Sequence, residues 1–170
     1  MVEAIIQREI PKILDRVMQN ISSHVIDIRL CDQPRPLTDD QICTIHTKFE
    51  GGYCGILVLY TDMELLLRLV RDLIPENEIS PQDVEDFAKE YFNVICGQIV
   101  SQLFEATHIA SRFHIPTFCR GKYVPEGLRG GGQCVRNYVS RYNEGAQLIH
   151  QFVRPMEKTK PHEEHVEKRR

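Results

Sequence analysis

The sequence contains no tryptophan, no closely spaced pair of cysteines and no long uninterrupted apolar run. Its six cysteines stand singly along the chain, whereas zinc sites and thiol redox motifs place two cysteines a few residues apart. We therefore expect no metal site of the protein's own, and cysteines that are reduced and packed. A membrane-spanning helix needs about 18 or more consecutive apolar residues, so we also expect no membrane partner.

Positive charge is not in excess either. Lysine and arginine total 21 against 24 aspartate and glutamate residues, which gives a formal net charge of −3. A nucleic-acid-binding domain usually has the opposite balance because a basic surface neutralises the phosphates, so nucleic acid is not an expected partner. The N-terminal stretch MVEAIIQREI lacks the basic start and apolar core of a signal peptide, which predicts a cytoplasmic protein.

What is present is an ordinary globular composition. The chain has 170 residues, of which 42% are hydrophobic and 26% are charged, enough for one domain with a substantial core. We assign this domain to residues 1–154 and interpret the polar segment 155–170 as a disordered tail. The HEEH sequence inside that segment is better explained by a charged tail than by metal binding.

Hydrophobic periodicity predicts three helices. Ser80 followed by Pro81 is typical of a helix start, because the serine side chain caps free backbone N–H groups and proline suits the first turn. Asp62 is the candidate cap of an earlier helix. Apolar residues recur at helical spacing over residues 3–22, 62–74 and 81–106.

Strand patterns fill most of the remaining chain. Two hairpins are predicted, around residues 50–52 and 143–145, where glycine follows polar residues between β-rich runs. A further strand is predicted over residues 24–31, and the glycine-rich segment 119–133 is expected to form an exposed flexible loop. The predicted fold class is α+β: a single two-layer domain with a long helix and two other helices packed on a mainly antiparallel sheet.

The longest predicted helix carries polar residues on one side only. At about 100° per residue, Asp86, Glu90, Asn93, Gly97 and Ser101 fall together. The opposite, apolar side is predicted to contain Val84, Phe87, Ala88, Tyr91, Ile95 and Ile99. Glu90 and Asn93 are three residues apart, so their side chains can reach the same spot beside the bare backbone of Gly97.

An exposed glutamate and asparagine are common on helices, and chance alone supplies about one such pair in every two or three chains of this size. The pattern here is longer: Asp86, three residues, Glu90, two residues, Asn93, then twenty-two residues to Pro116. Requiring all four positions lowers the chance expectation to well below about one in a hundred chains. The longer pattern therefore favours a functional site over a solvated face.

This pattern resembles the signature of the CheC, CheX and FliY family of chemotaxis phosphatases, and the predicted order of helices and hairpins is also similar. Only one copy of the motif is present, as in CheX-like members. The resemblance implies a phosphatase acting on a phosphorylated, CheY-like receiver domain, with Mg²⁺ supplied by the receiver and no cofactor of the protein's own. It also implies a homodimer that pairs through its sheets.

The same resemblance assigns roles on the helix. Asn93 would position the attacking water, and Glu90 would pair with a receiver lysine, so these two residues occupy the catalytic positions. Asp86 and Gly97 are the substrate-contacting candidates, and Pro116 is expected to shape the strand after the helix. Two alternatives stay open: a non-catalytic module that binds a receiver through the same helix, and a purely structural dimerisation domain.

Overall fold

One antiparallel sheet forms the base of the molecule. The computed structural model describes residues 2–22, 28–30, 37, 41–128 and 132–153. Across the sheet the strand order is β1-β6-β7-β3-β2, after which β4 and β5 both pair with β2. Within the described residues the strands are β1 (Ile28–Leu30), β2 (Ile42–Gly51), β3 (Gly55–Asp62), β4 (Ser111–Phe113), β5 (Thr117–Arg120), β6 (Gln133–Ser140) and β7 (Gly145–Phe152).

The helices are packed against one face of this sheet and enclose the main core. They are α1 (Val2–Ser22), α2 (Met63–Arg71) and α3 (Pro81–Thr107). Apolar side chains of all three helices and of the inward-facing positions of β2, β3 and β7 form a single buried cluster. The α+β two-layer arrangement predicted from the sequence is confirmed, and so are both hairpins.

Polar contacts fix α1 over β6 and beside α3. Asp15 accepts hydrogen bonds from the guanidinium of Arg136 and, at 2.8 Å, from the hydroxyl of Tyr138. One residue later, Arg16 donates a hydrogen bond of 3.1 Å to the side chain of Gln102 on α3. Charge-assisted bonds of this kind have stricter geometry than apolar contacts, so α1 is held at a defined position against both neighbours.

The middle helix begins after Asp62, as predicted, but without the predicted side-chain cap. Asp62 precedes α2, but its side chain caps no helix N–H group. Its carboxylate instead accepts a 2.7 Å hydrogen bond from the backbone N–H of Gly145. Nearby, Arg68 of α2 binds the buried carboxylate of Glu144, which also accepts a 2.7 Å bond from Ser140. The Asp62 carboxylate, which the sequence assigned to the helix cap, thus binds the backbone at the start of β7 instead.

The exposed loop predicted over residues 119–133 is present in part: residues 121–128 are irregular and mostly exposed, but they also contact the sheet. Cys119 lies in β5, and residues 121–128 pack on the sheet face opposite the helices. Tyr60 donates a 2.8 Å hydrogen bond to the carbonyl of Tyr123, whose ring stacks on His46 at a centroid distance of 5.3 Å. This segment covers an apolar cluster on the outer face, formed by Ile42, Ile56, Val58, Tyr60 and Ile149, whose burial is favourable.

Several sequence predictions fall partly or wholly outside the described residues. They are the strand assignment at residues 24–27, the polar tail 155–170 and the HEEH sequence within it. The five cysteines that the structure describes are all free. None of the described helices has the length and apolar character required to cross a membrane.

The buried His150 predicts a pH dependence of stability. Burial lowers the pKa of this histidine from 6.5 to about 4. Between these values the unfolded chain binds a proton that the folded chain does not, so the free energy of unfolding should fall as pH falls from about 6.5 to about 4. The full loss would be about 3 kcal/mol.

Urea unfolding at several pH values checks this prediction. His150→Phe should remove this loss, while substitution of the exposed His108 by Phe should leave the dependence unchanged. Parallel stability curves for the wild-type protein and His150→Phe would show that His150 is not responsible.

Candidate active site

The candidate site lies on α3, and both ends of this helix are fixed. At the start, the Ser80 hydroxyl accepts a 3.1 Å bond from the N–H of Asp83, and the Asp83 carboxylate accepts a 2.7 Å bond from the N–H of Ser80. This capping box and Pro81 at the first position confirm the predicted start. At the other end His108 adopts a left-handed conformation, and its N–H bonds to the carbonyl of Phe104.

The buried side of α3 determines which residues face solvent. Phe87 and Tyr91, predicted on the apolar side, pack against the core but are only half-buried, and they stack on each other at 6.0 Å. They lie at the edge of the buried side, because α3 packs against α1 as well as the sheet. The fully buried residues are Val84, Ala88, Phe92, Ile95, Cys96, Ile99 and Leu103.

The four candidate residues share the opposite side of the helix. Asp86, Glu90 and Gly97 are exposed, and Asn93 is half-buried. Asp86 accepts a 2.8 Å hydrogen bond from the side chain of Gln82 one turn earlier. Within the described part of the chain, the side chains of Glu90 and Asn93 form no hydrogen bond or ion pair, so both are available to another molecule.

Gly97 leaves an open gap in this surface. A methyl group built at its Cα would meet no atom within 4 Å. The glycine is therefore not required for packing inside the protein, and its conformation is an ordinary helical one. Since glycine in a helix interior costs about 1 kcal/mol relative to alanine, its presence is best explained by close approach of something outside the chain.

Three further residues of α3 were not singled out from the sequence. Lys89 lies one turn before Asn93 and forms a 2.6 Å ion pair with Glu85, whose hydrogen bond raises the pKa of the lysine. Val94 and Phe104 are 49% and 48% exposed. The exposure of Val94 and Phe104 could have been predicted, because the helical period places both apolar residues near the polar side of α3.

The fourth position of the sequence pattern lies elsewhere. Pro116 is buried in the short connection between β4 and β5. The residue two positions earlier, His114, bonds through its N–H to the carbonyl of Lys48, and its own carbonyl accepts a 2.7 Å bond from Thr47. Pro116 thus belongs to a segment that anchors two edge strands to β2, in agreement with the expected shaping role.

The candidate residues lie on an open helix surface. An exposed carboxylate, an amide and a gap lie along one rigid helix. In the parts of the chain that the structure describes, no cluster of histidine, cysteine, aspartate and glutamate suits a metal ion. An amide both donates and accepts hydrogen bonds without charge, so this surface can orient water or a polar group on a partner.

A model of the chemotaxis phosphatase CheX family matches residues 43–138, which run from β2 through α3 into β6. The chain belongs to the CheX family. The match covers every candidate residue on α3. A search of curated protein sequences found no match.

Solved structures support the CheX fold at low sequence identity. CheX from Desulfovibrio desulfuricans aligns with a TM-score of 0.64 and 14% identity, covering 85% of this chain and 98% of that one. CheX in the Borrelia burgdorferi CheX–CheY–BeF3–Mg²⁺ complex aligns with a TM-score of 0.62 and 14% identity, covering 84% of this chain and 94% of that one. The FliM middle domain from H. pylori aligns with a TM-score of 0.57 and 14% identity, covering 86% of this chain and 91% of that one.

The open space at Gly97 predicts that alanine there stabilises the isolated protein. Gly97→Ala should raise the free energy of unfolding by about 1 kcal/mol, because it restricts the unfolded chain and meets no clash. Gly52→Ala is the matched control: its methyl group would lie 2.5 Å from Ile109, so it should destabilise. Thermal unfolding of both variants checks this; a destabilised Gly97→Ala would show that the glycine has a packing role.

Proposed function

We propose that this protein is a phosphatase that removes the phosphoryl group from the aspartate of a CheY-like receiver. Membership of the CheX family supports this proposal, and so does the solved complex in which a relative of the same fold is bound with CheY, BeF3 and Mg²⁺. The observation that carries it is local: the exposed Glu90 and the half-buried Asn93 lie on one helix face beside the gap at Gly97, and neither side chain has a partner among the described residues.

Asn93 has the chemistry needed to position water. Hydrolysis of an acyl phosphate requires a water oxygen in line with the leaving aspartate oxygen, and most of the achievable acceleration comes from positioning and electrostatics. The water oxygen attacks phosphorus, the bond from phosphorus to the aspartyl oxygen breaks, and the excess proton passes to solvent. The Asn93 amide can hold that water without repelling the phosphoryl oxygens, as a carboxylate would.

Glu90 is better suited to docking than to proton transfer. A carboxylate placed against a phosphoryl group would be repelled, whereas a lysine beside the receiver's phosphorylation site would attract it. Asp86, held by Gln82 one turn earlier, would form a contact at the rim of the same interface. Mg²⁺ would be supplied by the receiver, a proposal supported by the solved CheX–CheY–BeF3–Mg²⁺ complex of a protein with the same fold.

We further propose that the protein acts in the cytoplasm as a homodimer. The free cysteines of the described chain are compatible with a reducing compartment, and pairing is implied by the resemblance to CheX-like proteins. Sedimentation equilibrium of the full chain tests the dimer, which would be excluded by a single monomer mass at micromolar concentration.

Substitution of the two central residues tests the proposed activity. Phosphorylated receivers are incubated with Mg²⁺ and the protein, and the loss of label is timed. Asn93→Ala should reduce the accelerated rate by roughly a hundredfold with receiver binding retained, whereas Glu90→Ala should mainly weaken binding, by about tenfold. Glu105→Ala, which removes an exposed carboxylate in the last turn of the same helix, should change neither quantity.

The same assay separates the phosphatase from a non-catalytic docking module. If the wild-type protein binds phosphorylated receivers but does not accelerate label loss, the docking module is the correct function. If neither binding nor acceleration occurs with any receiver, the helix face is only a solvated surface.

The gap at Gly97 gives an independent test of the docking surface. Gly97→Leu should lower phosphatase efficiency through weaker receiver binding, because its side chain would project where the partner approaches, while folding is unaffected. Receiver affinity measured by calorimetry, together with the unfolding midpoint of the variant, distinguishes the two effects. Unchanged affinity in a folded Gly97→Leu protein would place the partner elsewhere.

A further inference from the structure

A cavity of about 450 Å³ lies apart from the α3 surface, between the first half of α1 and the inner side of β6 and β7. Its size is within the range of small-molecule sites. The sheet contributes Cys134 and His150, which are directly opposite each other on β6 and β7, together with Phe152. The helix contributes Gln7, Ile10 and Pro11.

His150 lines this cavity and carries an unpartnered polar atom. The residue is only 3% exposed, and its buried Nε2 atom has no hydrogen-bond partner among the described residues. The ring of Tyr53 stacks on the imidazole at 5.6 Å with an interplanar angle of 11°, which fixes the plane of the ring. A buried polar atom without a partner is costly, so a bound group that supplies one would be favoured.

On the α1 wall, a proline alters the backbone hydrogen bonding of a lining residue. In a regular helix the carbonyl of Gln7 would accept a bond from the N–H of residue 11, but residue 11 is proline and has no N–H. Gln7 and Pro11 both line the cavity. The proline inside α1 therefore removes the usual helical donor from a carbonyl at the cavity wall.

The remaining lining determines the charge that the cavity accepts. No lysine, arginine, aspartate or glutamate is among the described residues that line it; the other side chains are apolar, amide or thiol. Burial raises the pKa of the Cys134 thiol and lowers that of His150, so both groups are neutral near pH 7. A charged ligand would lose its hydration here without gaining a counter-charge.

We propose that this cavity binds an uncharged organic molecule of about one ring in size that carries a hydroxyl group. Its apolar body contacts Ile10, Pro11 and Phe152, and its hydroxyl donates a hydrogen bond to Nε2 of His150. The site is independent of the phosphatase proposal, because none of the α3 candidate residues lines it.

Three probes of equal ring size test the proposal by NMR titration of the isotope-labelled full chain: p-cresol, toluene and benzoate. We expect saturable binding of p-cresol at least about fivefold tighter than that of toluene, with shifts at the cavity residues, and no binding of benzoate. Equal binding of p-cresol and toluene, preferential binding of benzoate, or shifts confined to other parts of the protein would overturn the proposal.

A matched pair of histidine variants identifies the polar partner. His150→Phe should abolish the preference of p-cresol over toluene. His46→Phe should preserve it, because His46 also has a buried, unpartnered Nε2 but is on the outer side of the sheet. Retention of the preference in His150→Phe would refute the assigned hydrogen bond.

Thiol protection in the unmodified protein gives a test that does not depend on the folding of a variant. Saturating p-cresol should slow modification of Cys134 by methyl methanethiosulfonate at least about fivefold and leave Cys119, which is half-buried on β5, unaffected. Equal rates at Cys134 with and without p-cresol would contradict binding in this cavity.

Discussion

The rotation of α3 about its own axis is the constraint on which the candidate site depends. Phe92, Ile95 and Ile99 are completely buried, so turning the helix would expose them and bury the polar residues opposite. Exposing even one such side chain costs about 2 kcal/mol or more. The core therefore does more than stabilise the fold: it selects the residues that another protein can meet.

The remaining elements hold that helix in place. The capping box fixes where α3 begins, while α1 is tied to β6 through Asp15 and to α3 through the bond between Arg16 and Gln102. On the far side of the sheet, residues 121–128 cover the outward apolar positions of β2 and β3. Both sheet faces thus carry packed chain, and the motif side of α3 remains at the surface of the described structure.

The sequence predicted those features that depend on interactions between residues close together in the chain. The start of α3 followed from Ser80 and Pro81, and the polar stripe followed from helical spacing. Features that depend on distant residues were not predictable: Asp62 bonds to Gly145, which is far along the chain, instead of capping α2. In the same way, the covering role of residues 121–128 depends on Tyr60 and on the sheet face beneath them, which no local pattern reveals.

The helical period of α3 has a consequence for how the chain tolerates changes in length. Each residue added to a helix rotates everything beyond it by about 100° relative to what precedes it. An insertion or deletion between Asp86 and Gly97 would therefore turn some candidate residues away from the others, even though every residue of the pattern were retained. Length variation should be confined to the connections, because between Asp86 and Gly97 the number of residues is itself part of the candidate site.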